Sequence, residues 1–266
     1  MSPRLAYAVF MLAALAIFLL ARRVLPAGEL AKLSRLERLA LTLAAFVGGT
    51  FGARLPFLFH VTPEGVSFTA WLADGKTITT GLVGAYLGVE LAKLALGIRA
   101  KTGDAYAVPL ALALAVGRWG CFFNGCCFGT PTDLPWGVDF GDGVRRHPTQ
   151  IYESLFHAIL AGVLIVIAKH GWLPRQRLKF YLIAYFAYRF ASEFIRPEPT
   201  GWFGLTFYQW VAVVAIVGLA VQWWIDRPNA RSVVYAEGVI PHSPGSRGFA
   251  SCRVQTHGLH SLKRHG

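Results

Sequence analysis

The chain has 266 residues, 55% of them hydrophobic and 15% charged, with 26 Lys and Arg against 14 Asp and Glu. So apolar a composition, gathered into long runs, excludes an ordinary soluble surface and makes the bilayer the expected solvent. The formal charge of +12 does not indicate nucleic acid, because the basic residues fall at the ends of hydrophobic runs rather than on a soluble domain.

A spanning helix needs roughly 20 mostly apolar residues. Seven runs qualify: Leu5 to Leu20, Leu39 to Phe59, Gly81 to Leu96, Tyr106 to Phe123, Ile151 to Ala168, Phe180 to Phe194 and Phe207 to Ile225. The first is read as a span and not a signal peptide, since Arg22 and Arg23 follow it where a small-residue cleavage site is expected. In the third run Gly81, Gly84 and Gly88 offer a small-residue packing face. The fourth ends in GRWGCFFNGCCFG (Gly117 to Gly129), whose glycines let a neighbouring helix, backbone or lipid approach closely. Irregular backbone at that depth is expected to line a cavity.

Asn124 to Gln150, with Pro131, Pro135, Trp136 and Gly141, reads as a loop long enough to be functional. Arg146 to Glu153 then read as loop followed by helix start, with the titratable His147 at the membrane surface. In the sixth run Tyr185, Arg189 and Glu193 stand four residues apart and share one helical face, with Arg196 one turn further on. Beyond Ile225 the composition turns to Arg, His, Ser and Gly, too polar to fold alone. The domain reading is therefore a seven-helix membrane domain over 1–226 and a basic, disordered tail over 227–266 that leans on anionic lipid.

Charge sets the expected orientation. On alternate loops, 18 of the 26 Lys and Arg fall on the side of Arg22, Lys93, Lys179 and the tail, which the positive-inside rule makes cytoplasmic, with the N-terminus outside. Of the 26, only Arg118 and Arg189 are left unassigned to either side, both inside runs. An arginine near the bilayer centre costs about 2.5–3.5 kcal/mol even on the gentle insertion scale, so each needs a partner. Glu193, Glu153 and Glu90 are the carboxylates at hand. A guanidinium beside a Tyr hydroxyl and a carboxylate is also suited to clamping a phosphodiester headgroup. A purely structural ion-pair network has the same sequence pattern.

Cys121, Cys126 and Cys127 admit several readings: a redox pair, a nucleophile activated by a nearby arginine, small residues packed where a cavity narrows, or, with His147, a four-ligand metal site. The C-x4-C-C spacing is not a common ligand pattern, so no metal and no cofactor are expected.

The stretches GRWGCFFNGCCFG, RHPTQIYES and YFAYRFASEFIRPEP together resemble the bacterial prolipoprotein diacylglyceryl transferases, in order and over most of the chain before the tail. The resemblance implies an all-α polytopic membrane protein with about seven transmembrane helices around an outward-opening polar cavity, in the bacterial cytoplasmic (inner) membrane. It implies transfer of a diacylglyceryl group from phosphatidylglycerol to the thiol of a prolipoprotein signal-peptide cysteine. Arg118, Asn124 and Gly129 match the family's GRxGNFxNxExxG motif; His147, Pro148, Gln150, Tyr152 and Glu153 match RHPSQxYE; Tyr185, Arg189 and Glu193 match the sixth-span motif. On this reading Arg118, Arg189, Glu193 and His147 carry catalysis, and Asn124, Gly129, Tyr185, Arg196, Tyr152, Gly81 and Thr79 bind substrate. Three positions depart from the family: Cys121 replaces an asparagine, Cys126 a glutamate, and Thr79 the histidine of an HGG stretch. Thr79 cannot deprotonate a thiol at neutral pH, so His147 or Glu193 would have to do so. Rival expectations are a lipid-processing paralogue with a cysteine nucleophile and a noncatalytic lipid-binding protein.

Overall fold

The structure is a computed structural model that describes residues 2–58 and 77–226. Among the described residues the chain forms helices α1 (Pro3–Val24), α2 (Arg35–Leu58), α3 (Ile78–Ala95), α4 (Asp104–Phe123), α5 (Thr149–Lys169), α6 (Arg177–Ser192) and α7 (Phe207–Ile225). A hairpin of β1 (Val138–Asp139) and β2 (Arg145–Arg146) lies between α4 and α5. The expected tail and the end of the second run lie outside the described residues.

Each of the seven apolar runs contains a helix, but six are long and apolar enough by themselves to cross a membrane. The exception is α6, whose 16 residues rise about 24 Å against a hydrocarbon core of roughly 30 Å. A 3₁₀ turn, Glu193–Ile195, prolongs it. Its Tyr181, Tyr185 and Phe186 are almost wholly enclosed, so protein rather than lipid surrounds its polar stripe.

The helix starts follow local chemistry. Ser2 caps α1 just before Pro3, a residue suited to the first helical position. Ser34 and Glu37 exchange side-chain hydrogen bonds at the start of α2, and Thr206 and Gln209 form the same reciprocal box on α7. The core joins Ala107 and Ala111 of α4 to Leu160 and Leu164 of α5, Tyr181 and Phe186 of α6, and Ala212 of α7. Leu12, Phe46, Leu91, Val214 and Trp224 are exposed on the outside of the bundle, as expected where lipid is the solvent.

Small residues set the closest approaches. α2 and α3 cross on Gly48, Gly52, Gly84 and Gly88, where a Cβ at Gly88 would stand 2.5 Å from the Ala44 carbonyl oxygen and one at Gly84 would collide with that of Gly48. The packing face expected from Gly81, Gly84 and Gly88 is therefore a backbone-to-backbone contact. Gly117 and Gly120 of α4 likewise admit Met11 and Phe10 of α1.

At one end of the bundle, Asp226 after α7 accepts from Lys101 at 2.7 Å and Lys179 at 2.5 Å, and Glu29 pairs with Arg175 at 2.6 Å. Glu90, a candidate partner for the buried arginines, instead pairs with Lys93 at 2.8 Å. Burial raises the Asp226 carboxyl, but hydrogen bonds from Lys101 and Lys179 outweigh it and hold the group below the ordinary aspartate range. A depressed carboxyl contributes stability that is complete above the unfolded-state pKa of about 3.9 and is lost as pH falls through the lower folded-state value. Asp226→Asn should therefore lower the melting temperature in detergent at neutral pH, and the gap to wild type should close only as the pH falls below about 4. A melting series against pH checks it; a gap that closes at pH 6 contradicts the assignment.

Candidate active site

The first turns of α5 bring the polar residues together. Glu153, fully buried, accepts from the Arg118 guanidinium at the end of α4, from the Tyr185 hydroxyl of α6 at 3.0 Å, and from Arg196 Nη2 at 3.1 Å. His157, one turn further along α5 and also fully buried, places Nε2 3.8 Å from the same carboxylate and Nδ1 3.0 Å from the Tyr181 hydroxyl. Arg196 is not one helical turn beyond Glu193, as the sequence led one to expect. The helix gives way to the 3₁₀ turn, and Arg196 is extended (φ −110°, ψ 147°) with its side chain folded back onto Glu153.

Arg189 forms the second half of the network. Its Nε donates to the buried Thr79 Oγ1 at 3.1 Å, and its Nη2 lies 2.8 Å from Glu193. Glu193 also accepts from Thr206, the N-cap of α7, at 3.2 Å. Tyr185, one turn before Arg189 on α6, donates to the same Glu153 that Arg118 holds, so the two guanidinium groups flank one shared polar region. The side chains of Arg118, Arg189 and Arg196 are only 6–8% exposed. Among the described residues, three guanidiniums ion-pair here with two carboxylates, Glu153 and Glu193, which leaves one positive charge over within that set. Among the described residues, Arg118 Nε, Arg189 Nη1 and Arg196 Nε are buried and find no hydrogen-bond partner. Orphaned buried donors are costly, and a cationic excess with free N–H groups is complementary to an anion.

The cysteines adjoin this network. Arg118 Nη1 lies 3.9 Å from Cys121 Sγ, and the sulfurs of Cys121, Cys126 and Cys127 all lie within 4.8 Å of one another. All three are free thiols. His147 is not in this group, so the four-ligand arrangement considered from sequence does not form. Hydrogen bonds from the Cys121 and Cys126 thiols, with the charges of Arg118 and Arg196, hold the Cys127 thiol below its usual range.

The remaining residues singled out in the sequence stand outside this ion-pair network. His147 is half-buried; its Nδ1 lies 3.4 Å from the Tyr152 hydroxyl, which also accepts from Trp136 at 2.8 Å. Asn124 is an exposed C-cap of α4. Gly129 is a packing position: its N–H donates to the His147 carbonyl at 2.9 Å, and a Cβ there would stand 2.5 Å from the Ile195 carbonyl oxygen. Gly81 faces Ala53 and Gly49 of α2.

Sequence reasoning missed His157, although its i+4 spacing from Glu153 carried the signal. It also missed the hairpin, whose tip Asp139-Phe140-Gly141-Asp142-Gly143 has Asp139 Oδ1 accepting from the N–H groups of Gly141, Asp142 and Gly143, a turn chemistry readable in advance.

Apolar helices around a buried excess of guanidinium define a multi-pass membrane protein with a site suited to an anionic group. The sequence profile of the family described as prolipoprotein diacylglyceryl transferase matches residues 5–225. Among relatives named phosphatidylglycerol–prolipoprotein diacylglyceryl transferase, that of Cupriavidus pinatubonensis is 30% identical over 71% of this chain and 73% of its own. That of Bordetella bronchiseptica is 30% identical over 81% and 88%, and that of Clostridium tetani 31% identical over 60% and 69%. The chain belongs to the prolipoprotein diacylglyceryl transferase family and is, with it, a membrane transferase.

Proposed function

We propose that this protein transfers a diacylglyceryl group from phosphatidylglycerol to the thiol of a prolipoprotein signal-peptide cysteine, at a site open to the outer leaflet of the bacterial inner membrane, with the N-terminus outside and the C-terminus cytoplasmic. The observation that carries it is the buried triad of arginines, which among the described residues is one positive charge in excess of the carboxylates it pairs with and keeps an unpartnered N–H on each guanidinium. A lipid phosphodiester supplies the missing charge and acceptors.

In the reaction the acceptor thiolate attacks the glyceryl carbon that bears the phosphate ester oxygen. A C–S bond forms, that C–O bond breaks, and its electron pair leaves on glycerol phosphate. Arg118 and Arg189 stabilise the charge gathering on the departing phosphate, and Arg196 holds Glu153 in place between them. The thiol proton needs a base. Thr79 is neutral and accepts from Arg189, and Glu193 is already engaged by Arg189 and Thr206. His147, half-buried beside Tyr152, is the side chain suited to take the proton.

Purified protein in mixed micelles with phosphatidylglycerol and a lipobox peptide should yield a diacylglyceryl thioether. Arg189→Ala should slow formation by about 10²–10³ while the protein stays monodisperse. A well-folded wild type that gives no thioether defeats this reading.

A further inference from the structure

The transfer chemistry makes no use of Cys121, Cys126 or Cys127, yet their surroundings are built. Cys121 sits in the last turn of α4, and the chain then reverses through Gly125 (φ 65°) and Cys127 (φ 67°) to return two more thiols to it. Positive φ is uncommon for a residue with a side chain, so something must hold Cys127 there. The frame is visible. Cys126 N–H donates to the Cys121 carbonyl at 3.1 Å, Thr149 Oγ1 to the Cys127 carbonyl at 2.6 Å, and Gln150 Nε2 to the Cys126 carbonyl at 2.6 Å. Thr149 and Gln150 are themselves fully buried. The three sulfurs are thus positioned from a rigid helix start, and Cys127 keeps the cluster open to the outside.

We propose that Cys121, Cys126 and Cys127 form a three-thiolate binding site for a soft monovalent cation of the Cu(I) class. Soft thiolates select Cu(I) and zinc over hard cations, and structural zinc almost always takes four protein ligands. Among the described residues this group offers three, which fits a trigonal ion. Metal–sulfur bonds of about 2.3 Å in one plane place the sulfurs about 4 Å apart, so separations of up to 4.8 Å close by less than about 1 Å. Three thiolates and one monovalent cation leave two negative charges, which the Arg118 guanidinium, 3.9 Å from Cys121 Sγ, partly offsets. Binding replaces each S–H bond by an S–metal bond and releases the proton to solvent; no electron is transferred.

The full chain in detergent, reduced and kept anaerobic, should take up one equivalent of Cu(I) in competition with a chromogenic Cu(I) chelator. Affinity should fall by at least about 100-fold in Cys126→Ser and Cys127→Ser, and stay unchanged in Cys252→Ser, which alters the remaining cysteine. Uptake lost in Cys252→Ser, or kept in the Cys121→Ser/Cys126→Ser/Cys127→Ser variant, overturns the proposal. X-ray absorption on the copper-loaded wild type tests it without relying on variants. A first shell of three sulfurs is the expected result, and a shell of two sulfurs, or one dominated by nitrogen or oxygen, overturns it.

Discussion

Glu153→Gln should lower diacylglyceryl transfer by about 10²–10³ while leaving the protein folded. Glu153 is the shared acceptor of Arg118, Tyr185 and Arg196. The amide keeps its shape and one acceptor oxygen but removes the charge, so two guanidiniums lose the anchor that aims them. Removing one partner of a buried ion pair costs about 3–5 kcal/mol where nothing replaces it, so Glu153→Ala should melt well below Glu153→Gln. The two variants together separate positioning from folding. Both should be inactive and less stable than wild type, the alanine variant more so because it also loses the remaining acceptor and leaves a cavity. Wild-type turnover in Glu153→Gln would show that the arginines are aimed by something else.

A second loss of stability is expected at the α2–α3 crossing. A side chain at Gly84 meets not a flexible neighbour but the backbone of Gly48 and Gly52, so the helices must separate along their whole contact. Overpacking a fixed contact costs about 1–3 kcal/mol, and here even one methyl group is opposed by main chain. Gly84→Ala should lower the melting temperature in detergent clearly, and Gly84→Leu should prevent recovery of monodisperse protein from membranes. Gly162→Ala is the control, since nothing lies within 4 Å of a Cβ there. A Gly84→Ala variant that melts with the wild type would mean that the helices do not meet as described.

The seven helices were legible because a bilayer demands long apolar runs and the chain has them. The Tyr185, Arg189 and Glu193 stripe was legible because a fixed helical spacing puts such residues on one face, and the Arg189–Glu193 pair forms as that spacing implies. The rest was hidden by the fold. Thr79 meets Arg189 across 110 residues of chain, a contact that no local pattern encodes. Arg196 reverses direction because the helix stops at Ser192, and the sequence there gave a charge spacing without the break. Glu153 was visible as a carboxylate for the buried arginines, but its service to two of them came only from the way α4 and the chain after α6 converge on α5. Gly129 matched a motif, whereas its surroundings are those of a residue that must be small for three segments to meet.

The opening turns of α5 hold two things at once: Thr149 and Gln150 grip the carbonyls of Cys127 and Cys126, and Glu153 grips Arg118 and Arg196. A helix that slides by one residue shifts about 1.5 Å and turns through more than a quarter of a circle. Any such displacement would drag the sulfur cluster and the guanidinium cluster out of register together. The two clusters thus share a single shaft, the first turns of α5.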